Sequence, residues 1–246
     1  MITLTKKGIV LFIVMAFALA LPACGNKQTP NDVASLLPEE TDKKQIQSTK
    51  IEPIDYDVVT GDNGMDIQEA IDNALILSNE FFSILEKYKL LRNADVLSIP
   101  DAELENAVMS WMWNKFNDDW SNQYQVVSTL PKPCQNVYSC RTVIDEVNNG
   151  GFNQLFFNQS SQFAEMSIDG FLALGSPKMS KIMEEAVALY KENKEALDKY
   201  NDGTLESFID SYTEGIFSDL DDAFYAECDS INYVNYIRLN ANYFGD

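Results

Sequence analysis

The sequence predicts an all-α fold, a compact helical domain of about seven to nine helices over residues 66–246. After residue 65, apolar residues recur with the helical period of about 3.6 residues, and strand-like alternation is absent. Glycine, asparagine and proline fall between these periodic segments, where helices end and begin. Hydrophobic residues make up 46% of the chain, which is enough for a domain of this size to form a core.

Three helices are expected in the first part of this domain. They run from Asp66 to Tyr88, from Ser98 to about Phe116 and from Tyr138 to Val147. Asp66 and Glu69 have the spacing of a capping box, which favours a helix start at Asp66. Asn148, Asn149, Gly150 and Gly151 are expected to end the third helix, because asparagine and glycine accept positive φ.

The second part of the domain contains further helical patterns. Helices are expected from Ser160 to Leu174, from Pro177, from Thr204, from Asp219 to Glu227 and after a cap at Ser230. The Thr204 helix has the clearest pattern, with one apolar stripe of Leu205, Phe208, Ile209, Tyr212 and Ile216. Gly175 is expected to close the Ser160 helix, and Pro177 suits the first turn of the next one.

The charge of the chain is strongly negative and unevenly distributed. Asp and Glu number 38 against 18 Lys and Arg, and residues 142–246 contain 19 of the acids but only 6 basic residues. No basic residue stands between Lys199 and Arg238. Such a charge repels nucleic acid and anionic lipid and attracts basic proteins or cations.

The chain contains no histidine, which removes the usual general base and the commonest metal ligand. Most hydrolase mechanisms are therefore disfavoured, and neither a metal nor another cofactor is expected. Three cysteines in the domain without histidine do not form a convincing zinc site. Paired carboxylates acting on a glycan remain the one catalytic alternative that the composition allows.

The acids after Asp202 are the candidate binding residues. We list them as Glu206, Asp210, Glu214, Asp219, Asp221, Asp222, Glu227 and Asp229. Glu206, Asp210 and Glu214 are four residues apart, so they form one row on the Thr204 helix away from its apolar stripe. Two interpretations are open: a surface for a basic partner, or a solvated face that serves solubility.

The N-terminus has the pattern of an export signal. Lys6 and Lys7 precede an apolar stretch that is short for a membrane span, and we expect residues 1–23 to be removed. Leu21, Ala23 and Cys24 resemble a bacterial lipobox, with Cys24 as the lipidated residue; ordinary cleavage nearby would leave Cys24 as a thiol. Residues 24–65 are polar and poor in aromatics, which is typical of a flexible tether.

Two of the other cysteines allow a disulfide. Cys134 and Cys140 are separated by five residues and could close a short loop in an oxidising compartment. The alternative is that Cys134, Cys140 and Cys228 are all buried thiols. The spacing does not decide between the two.

The run EVNNGGFNQLFFN, from Glu146 to Asn158, resembles the acidic DNA-mimic protein family. The resemblance extends over about residues 125–246 through FLALG before Ser176 and LDDAFY before Ala226. It implies a helical, cofactor-free acidic binding module that often self-associates, here as a homodimer. The core of the motif, Asn148 to Gly151 with Phe152, is interpreted as architectural, because Phe152 has the character of a core aromatic.

The sequence as a whole predicts a non-catalytic acidic protein at the bacterial envelope. It would be lipid-anchored, at the outer membrane facing the periplasm in a Gram-negative host, and would contact the membrane only through its lipid. The expected partner is a basic protein, and direct nucleic-acid binding is not expected. The alternatives are a carboxylate-dependent enzyme acting on envelope glycan and an immunity-type inhibitor of a basic toxin.

Overall fold

The structure, a computed structural model, describes residues 67–202 and 204–246. The expected signal peptide, Cys24, the expected tether and the Asp66 cap lie outside the described residues. The all-α prediction is confirmed: the described part of the chain forms nine α-helices joined by 3₁₀ turns and contains no β-strand.

The nine helices follow one another with short connections. They are α1 (Ile67–Tyr88), α2 (Asp101–Asn114), α3 (Gln123–Thr129), α4 (Lys132–Phe157), α5 (Ala164–Ala173), α6 (Pro177–Asp198), α7 (Leu205–Ser211), α8 (Ser218–Glu227) and α9 (Tyr233–Leu239). The 3₁₀ turns are Asn93–Ser98, Trp120–Asn122, Gln159–Phe163, Tyr212–Glu214, Cys228–Ser230 and Ala241–Tyr243.

The long helix α4 lies at the centre of the domain and contacts α3, α5, α8 and α9. It places Val137, Val143, Val147 and Leu155 in the core, each with no exposed surface. Its backbone leaves helical geometry at Gly150 (φ −168°, ψ 33°) and Gly151 (φ 66°, ψ −172°), then resumes the helix. The helix is therefore two segments joined by a break in the glycine pair.

Helices α4, α5 and α6 form the most extensive packing of the fold. The α4–α5 crossing is close because a β-carbon on Gly170 would come within 2.6 Å of the Cys140 sulfur and 3.2 Å of the Asn136 carbonyl oxygen. A glycine is thus required where the two helices touch. Phe171 of α5 and Met179 and Met183 of α6 belong to the same hydrophobic core and have no exposed surface.

The last residues of the chain are bonded to the segment that precedes α2. The Asp246 amide donates to the Leu91 carbonyl (3.0 Å), and the Asn93 amide donates to the Asp246 carbonyl (3.2 Å). The Arg238 guanidinium, at the end of α9, donates to the carbonyls of Val96 and Ile99. These bonds attach α9 to the α1–α2 part of the domain.

Several helix boundaries differ from the predictions. Helix α4 begins at Lys132, not Tyr138, because Pro133 is tolerated in a first helical turn. Ser160 does not cap a helix: its hydroxyl donates to the Glu146 carboxylate, and a 3₁₀ turn precedes α5. Helix α9 is capped by Asn232, whose side chain accepts from the Asn235 amide, and not by Ser230.

Candidate acidic binding surface

The acidic segment, which we define as residues 202–229, consists mainly of α7, α8 and the turn between them. The predicted start at Thr204 is confirmed, since the Thr204 hydroxyl accepts from the Ser207 amide at 3.2 Å. Asp202 accepts from the Thr204 amide at 2.9 Å, and bonds from Thr204 lower the pKa of Asp202. Ile209 was predicted to belong to the apolar stripe of this helix, but its side chain is 41% exposed, so this part of the prediction is wrong.

Five of the eight candidate acids are exposed on this segment and have no Lys or Arg of the described residues at ion-pair distance. These five, which we call the open acids, are Glu206, Asp210, Asp219, Asp222 and Asp229. They come from α7, α8 and the turn after α8. The structure therefore places them on the surface without the counterions that would neutralise them.

Two other candidates have cation partners that the linear sequence did not indicate. Glu214 accepts from Lys199 at 2.8 Å and from the Tyr200 hydroxyl at 2.7 Å, and these bonds lower the pKa of Glu214. Glu227 forms an ion pair with Lys178 at 2.8 Å. Both lysines belong to α6 or to the residue that follows it, so these partners are distant in sequence from the acids. Glu214 lies on the 3₁₀ turn after α7, so the predicted row of Glu206, Asp210 and Glu214 on one helix is wrong.

The eighth candidate, Asp221, faces the interior. Its carboxylate accepts from the Phe152 amide at 2.8 Å, next to the break in α4. The pKa of Asp221 is raised to about 6, mainly by burial and to a smaller extent by the neighbouring Asp222, against the opposing effect of the Phe152 amide bond. Asp221 thus serves as a cap for the second segment of α4.

The predicted motif forms the junction between α4 and the acidic segment. The Tyr212 hydroxyl donates to the Gly150 carbonyl (2.6 Å), and the Tyr225 hydroxyl donates to the Val147 carbonyl (2.9 Å). A β-carbon at Gly151 would lie 2.8 Å from the Asp221 carboxylate. The glycine pair therefore exposes backbone groups that two tyrosines and an aspartate satisfy.

The other motif residues complete this junction. Phe152 is fully buried, and its ring packs against Phe224 at 5.4 Å and Phe156 at 6.2 Å between ring centroids. Asn148 is half-buried and Asn149 is exposed. The burial of Phe152 and the bonds to the backbone of the glycine pair indicate that the motif has an architectural role. Through Asp221, Phe224 and Tyr225, the motif is in direct contact with α8 of the acidic segment.

A second surface feature was not found by sequence reasoning. An open cleft of about 560 Å³ is lined by residues of α2, α3, α4 and two 3₁₀ turns. Its aromatic wall contains Trp113 and Trp120, and its polar wall contains Asp145 and Glu146. In the sequence, only the tryptophans from Trp111 to Trp120 point to an aromatic surface here. They do not indicate which residues of α4 and the following turn form the opposite wall of the cleft.

Cys134 and Cys140 are buried free thiols, so the disulfide alternative is not formed. They lie six residues apart on the continuous part of α4, about 9 Å along the axis, which exceeds the reach of a disulfide. The Cys134 thiol donates to the Tyr243 carbonyl at 3.1 Å, and burial raises the pKa of Cys134 to about 12. Cys228 is also buried, with its thiol 3.6 Å from the Tyr225 carbonyl.

The described residues contain neither a metal-binding cluster nor a helix able to span a membrane. No cluster of three or more Cys, Asp or Glu residues in that part of the chain has an arrangement able to hold a metal ion. None of its helices combines the length and the apolar character that crossing a bilayer requires.

The comparisons with known proteins support the resemblance for the C-terminal region. Residues 128–244 match the family model described as DMP19-like protein. No curated protein and no solved structure matches the chain. The matched region begins just before α4 and contains the junction, the acidic segment and α9. Residues 128–244 are therefore similar to the DMP19-like family, in agreement with the resemblance to DNA-mimic proteins.

Proposed function

We propose that this protein is a non-catalytic acidic binding protein that presents the open acids to a basic protein. The supporting observation is that five carboxylates are exposed on one segment without a cation at ion-pair distance among the described residues. Surface charges of one sign raise the rate of encounter with oppositely charged partners. The match of residues 128–244 to the DMP19-like family supports the same role.

The spacing of the open acids limits how this surface could imitate DNA. Duplex DNA carries about one charge per 1.7 Å of its axis. Carboxylates four residues apart on one helix give only about one per 6 Å. Imitation of DNA therefore requires acids from α7 and α8 together, or from two copies of the chain. Such an arrangement would suit a basic partner that normally binds DNA, because the acids would occupy its DNA-binding surface.

We also propose that the protein acts at the bacterial envelope through lipidated Cys24. The support is the N-terminal sequence pattern. Fractionation of cells labelled with a radioactive fatty acid tests this part of the proposal. Labelled protein in the envelope fraction is expected, and loss of the label in Cys24→Ser is the control; unlabelled protein in the cytoplasm would contradict the envelope role.

The test of binding uses a variant in which all open acids become amides. Its substitutions are Glu206→Gln, Asp210→Asn, Asp219→Asn, Asp222→Asn and Asp229→Asn. The matched control removes the same number of charges from exposed acids outside the acidic segment that also lack an ion pair among the described residues. Its substitutions are Glu80→Gln, Asp118→Asn, Glu184→Gln, Glu192→Gln and Glu195→Gln.

Affinity capture from envelope extracts at increasing salt then compares the three proteins. The wild type and the control should retain the same basic protein, with retention falling as salt rises, whereas the open-acid variant should lose it. Duplex DNA should compete if the partner binds DNA. Retention that is insensitive to salt, or equal loss in both variants, would count against the open acids as the binding surface.

The catalytic alternative requires two carboxylates that face each other across a substrate site, one with a raised pKa. Burial raises the pKa of Asp145 in the cleft, but its carboxylate is paired with Arg141 at 2.8 Å. Asp221, whose pKa is raised, is bonded to the junction backbone. Neither arrangement supports glycan hydrolysis, so binding is the better-supported proposal. An immunity role would be recognised by rescue of cells from a basic toxin.

A further inference from the structure

The open cleft described above has the size of a binding site and an unusual lining. Its volume of about 560 Å³ lies within the range of small-ligand sites, about 300–1,000 Å³. We call it the tryptophan cleft. The lining residues that the proposal uses are Trp113, Trp120, Gln123, Glu146, Asn158 and Gln159. The lining combines aromatic rings, neutral amides and hydroxyls with two acids, and it includes no lysine or arginine.

Two indole rings form the aromatic wall. The ring centroids of Trp113 and Trp120 are 6.1 Å apart, with 54° between the ring planes. Trp120 leaves 47% of its surface exposed, although tryptophan is among the residues that benefit most from burial. Neither ring is among the aromatic rings that the described lysines cover; those belong to Tyr88, Trp111, Tyr190 and Tyr200. Trp113 also meets Phe81 at 6.2 Å and Trp120 meets Phe116 at 5.3 Å between ring centroids. The surface that this wall offers to a ligand is therefore mainly the exposed part of Trp120.

The exposed ring of Trp120 is held in position by the backbone before and after it. Asn117 (φ 51°) and Asp118 (φ 63°) both adopt the left-handed conformation, which asparagine and aspartate tolerate better than other non-glycine residues do. Asp119 then accepts from the Ser121 amide at 3.1 Å. The Gln159 amide donates to the Ser121 carbonyl at 3.0 Å and fixes this turn to the opposite side of the cleft.

The polar wall contains a carboxylate whose bonds are all to neutral groups. Glu146 accepts from Gln154 (2.9 Å), from Asn158 (2.7 Å) and from the Ser160 hydroxyl. No lysine or arginine of the described residues forms an ion pair with Glu146, whereas Asp145 is paired with Arg141. Glu146 is therefore oriented by its neighbours while its negative charge remains without a counterion.

We propose that the tryptophan cleft receives an arginine side chain of a basic protein partner. A guanidinium stacks on indole faces, while its hydrogen-bond donors reach carboxylates and amide oxygens. Gln123, Asn158 and Gln159 supply amide groups beside Glu146 for this purpose. The assignment of the partner as a basic protein rests on the proposed function. The expectation that the cleft binds a guanidinium group rests only on the residues that line it.

The test uses two blocked tripeptides, Gly-Arg-Gly and the same peptide with citrulline, which keeps the shape of arginine but is neutral. Binding is followed by NMR of the tryptophan indole signals. The arginine peptide should shift the indole signals of Trp113 and Trp120 and bind at least about tenfold more tightly than the citrulline peptide. A neutral chitin oligosaccharide is the third ligand.

Trp120→Ala is the informative variant, because Trp120 is partly exposed and its removal should not unfold the domain. Binding of the arginine peptide should fall about tenfold, whereas Leu239→Ala, a change at another exposed apolar residue, should leave it unchanged. Glu146→Gln, with its fold checked by circular dichroism, should weaken arginine binding and leave citrulline binding unchanged.

The outcomes separate this proposal from the proposed function. Equal binding of the two peptides, full binding by Trp120→Ala, or tighter binding of the oligosaccharide would overturn the arginine assignment. If Trp120→Ala retains the basic protein from extracts while the open-acid variant loses it, only the cleft proposal fails. Loss of arginine binding in Trp120→Ala without capture of any basic protein by the wild type would leave the cleft assigned and reject the proposed function.

Discussion

The inner and outer sides of α8 carry the same kind of side chain in different surroundings. On the inner side, Asp221 accepts from the Phe152 amide, and burial raises its pKa to about 6. On the outer side, Asp219 and Asp222 are exposed and have no cation among the described residues at ion-pair distance. The sequence alone does not distinguish these three aspartates. Their contacts show that Asp221 belongs to the junction and that Asp219 and Asp222 belong to the surface.

The largest effect is expected at the backbone that Asp221 supports. Gly151 has φ 66° and ψ −172°, a conformation that is essentially limited to glycine. In Gly151→Ala the added carbon would also displace the Asp221 carboxylate. We expect a loss of about 3 kcal/mol in the free energy of unfolding, measured in urea.

Gly215→Ala is the control for this prediction. Gly215 also has positive φ (60°), but a β-carbon there would meet no atom closer than 3.6 Å. Its loss should be about 1 kcal/mol, from backbone strain alone. Equal losses in the two variants would contradict both the extra backbone strain at position 151 and the importance of the contact with Asp221.

The next effect concerns pH. The pKa of Asp221 rises from 3.8 to about 6 on folding, so the folded state binds more protons between these values. The contribution of Asp221 to stability is therefore greatest below pH 4 and is lost as pH rises through about 6, by roughly 2–3 kcal/mol. In Asp221→Asn the decrease over this range should be smaller by that amount, as urea denaturation at several pH values would measure.

Asp222→Asn gives the comparison from the outer side of α8. Because Asp222 is exposed, its removal should change the pH dependence only through its small effect on Asp221. A pH profile altered as much by Asp222→Asn as by Asp221→Asn would reject the distinction between the two sides.

A smaller effect isolates the hydrogen bond from the charge. Asparagine at position 221 can still accept from the Phe152 amide, whereas alanine leaves that amide without its acceptor. We expect Asp221→Ala to be about 1–2 kcal/mol less stable than Asp221→Asn at any pH between 5 and 8. Thermal unfolding of the two variants in the same buffers measures this difference; identical stability would mean that the amide has another acceptor.

The smallest effect is expected from the open acids themselves. Glu206 and Asp210 are four residues apart on α7, and both are exposed. Asp210→Asn should raise stability by roughly 0.2–0.5 kcal/mol at low salt, because it removes a like-charge pair and a negative charge near the C-terminal end of α7. The gain should disappear at high salt, and a loss of stability would show that Asp210 has a structural partner.

The features that the sequence predicted well depend on neighbouring residues. The start of α7 at Thr204 follows from a side chain that bonds to an amide three residues away. The break at Gly150 and Gly151 was also located correctly, but the return to helix after it was not, since it depends on Asp221, 69 positions further on. Pairing of Glu214 with Lys199 and Glu227 with Lys178 likewise depends on packing of the acidic segment against α6.

The tryptophan cleft shows the same limitation more strongly. Trp113 and Trp120 come from one part of the chain and Glu146 and Gln159 from another. No local pattern indicates that these residues meet. Their proximity results from the packing of α4 and the turn after it against α2 and α3.

The raised pKa of Asp221 also couples the protonation of this residue to the binding of a partner on α8. Asp222 raises the pKa of Asp221, so a cation that neutralises Asp222 would lower that pKa. Under the proposed function, docking of a basic partner on α8 then releases protons near pH 6. By linkage, the partner would bind more weakly in acidic medium than at neutral pH, so the junction would act as a proton-coupled control on the surface beside it.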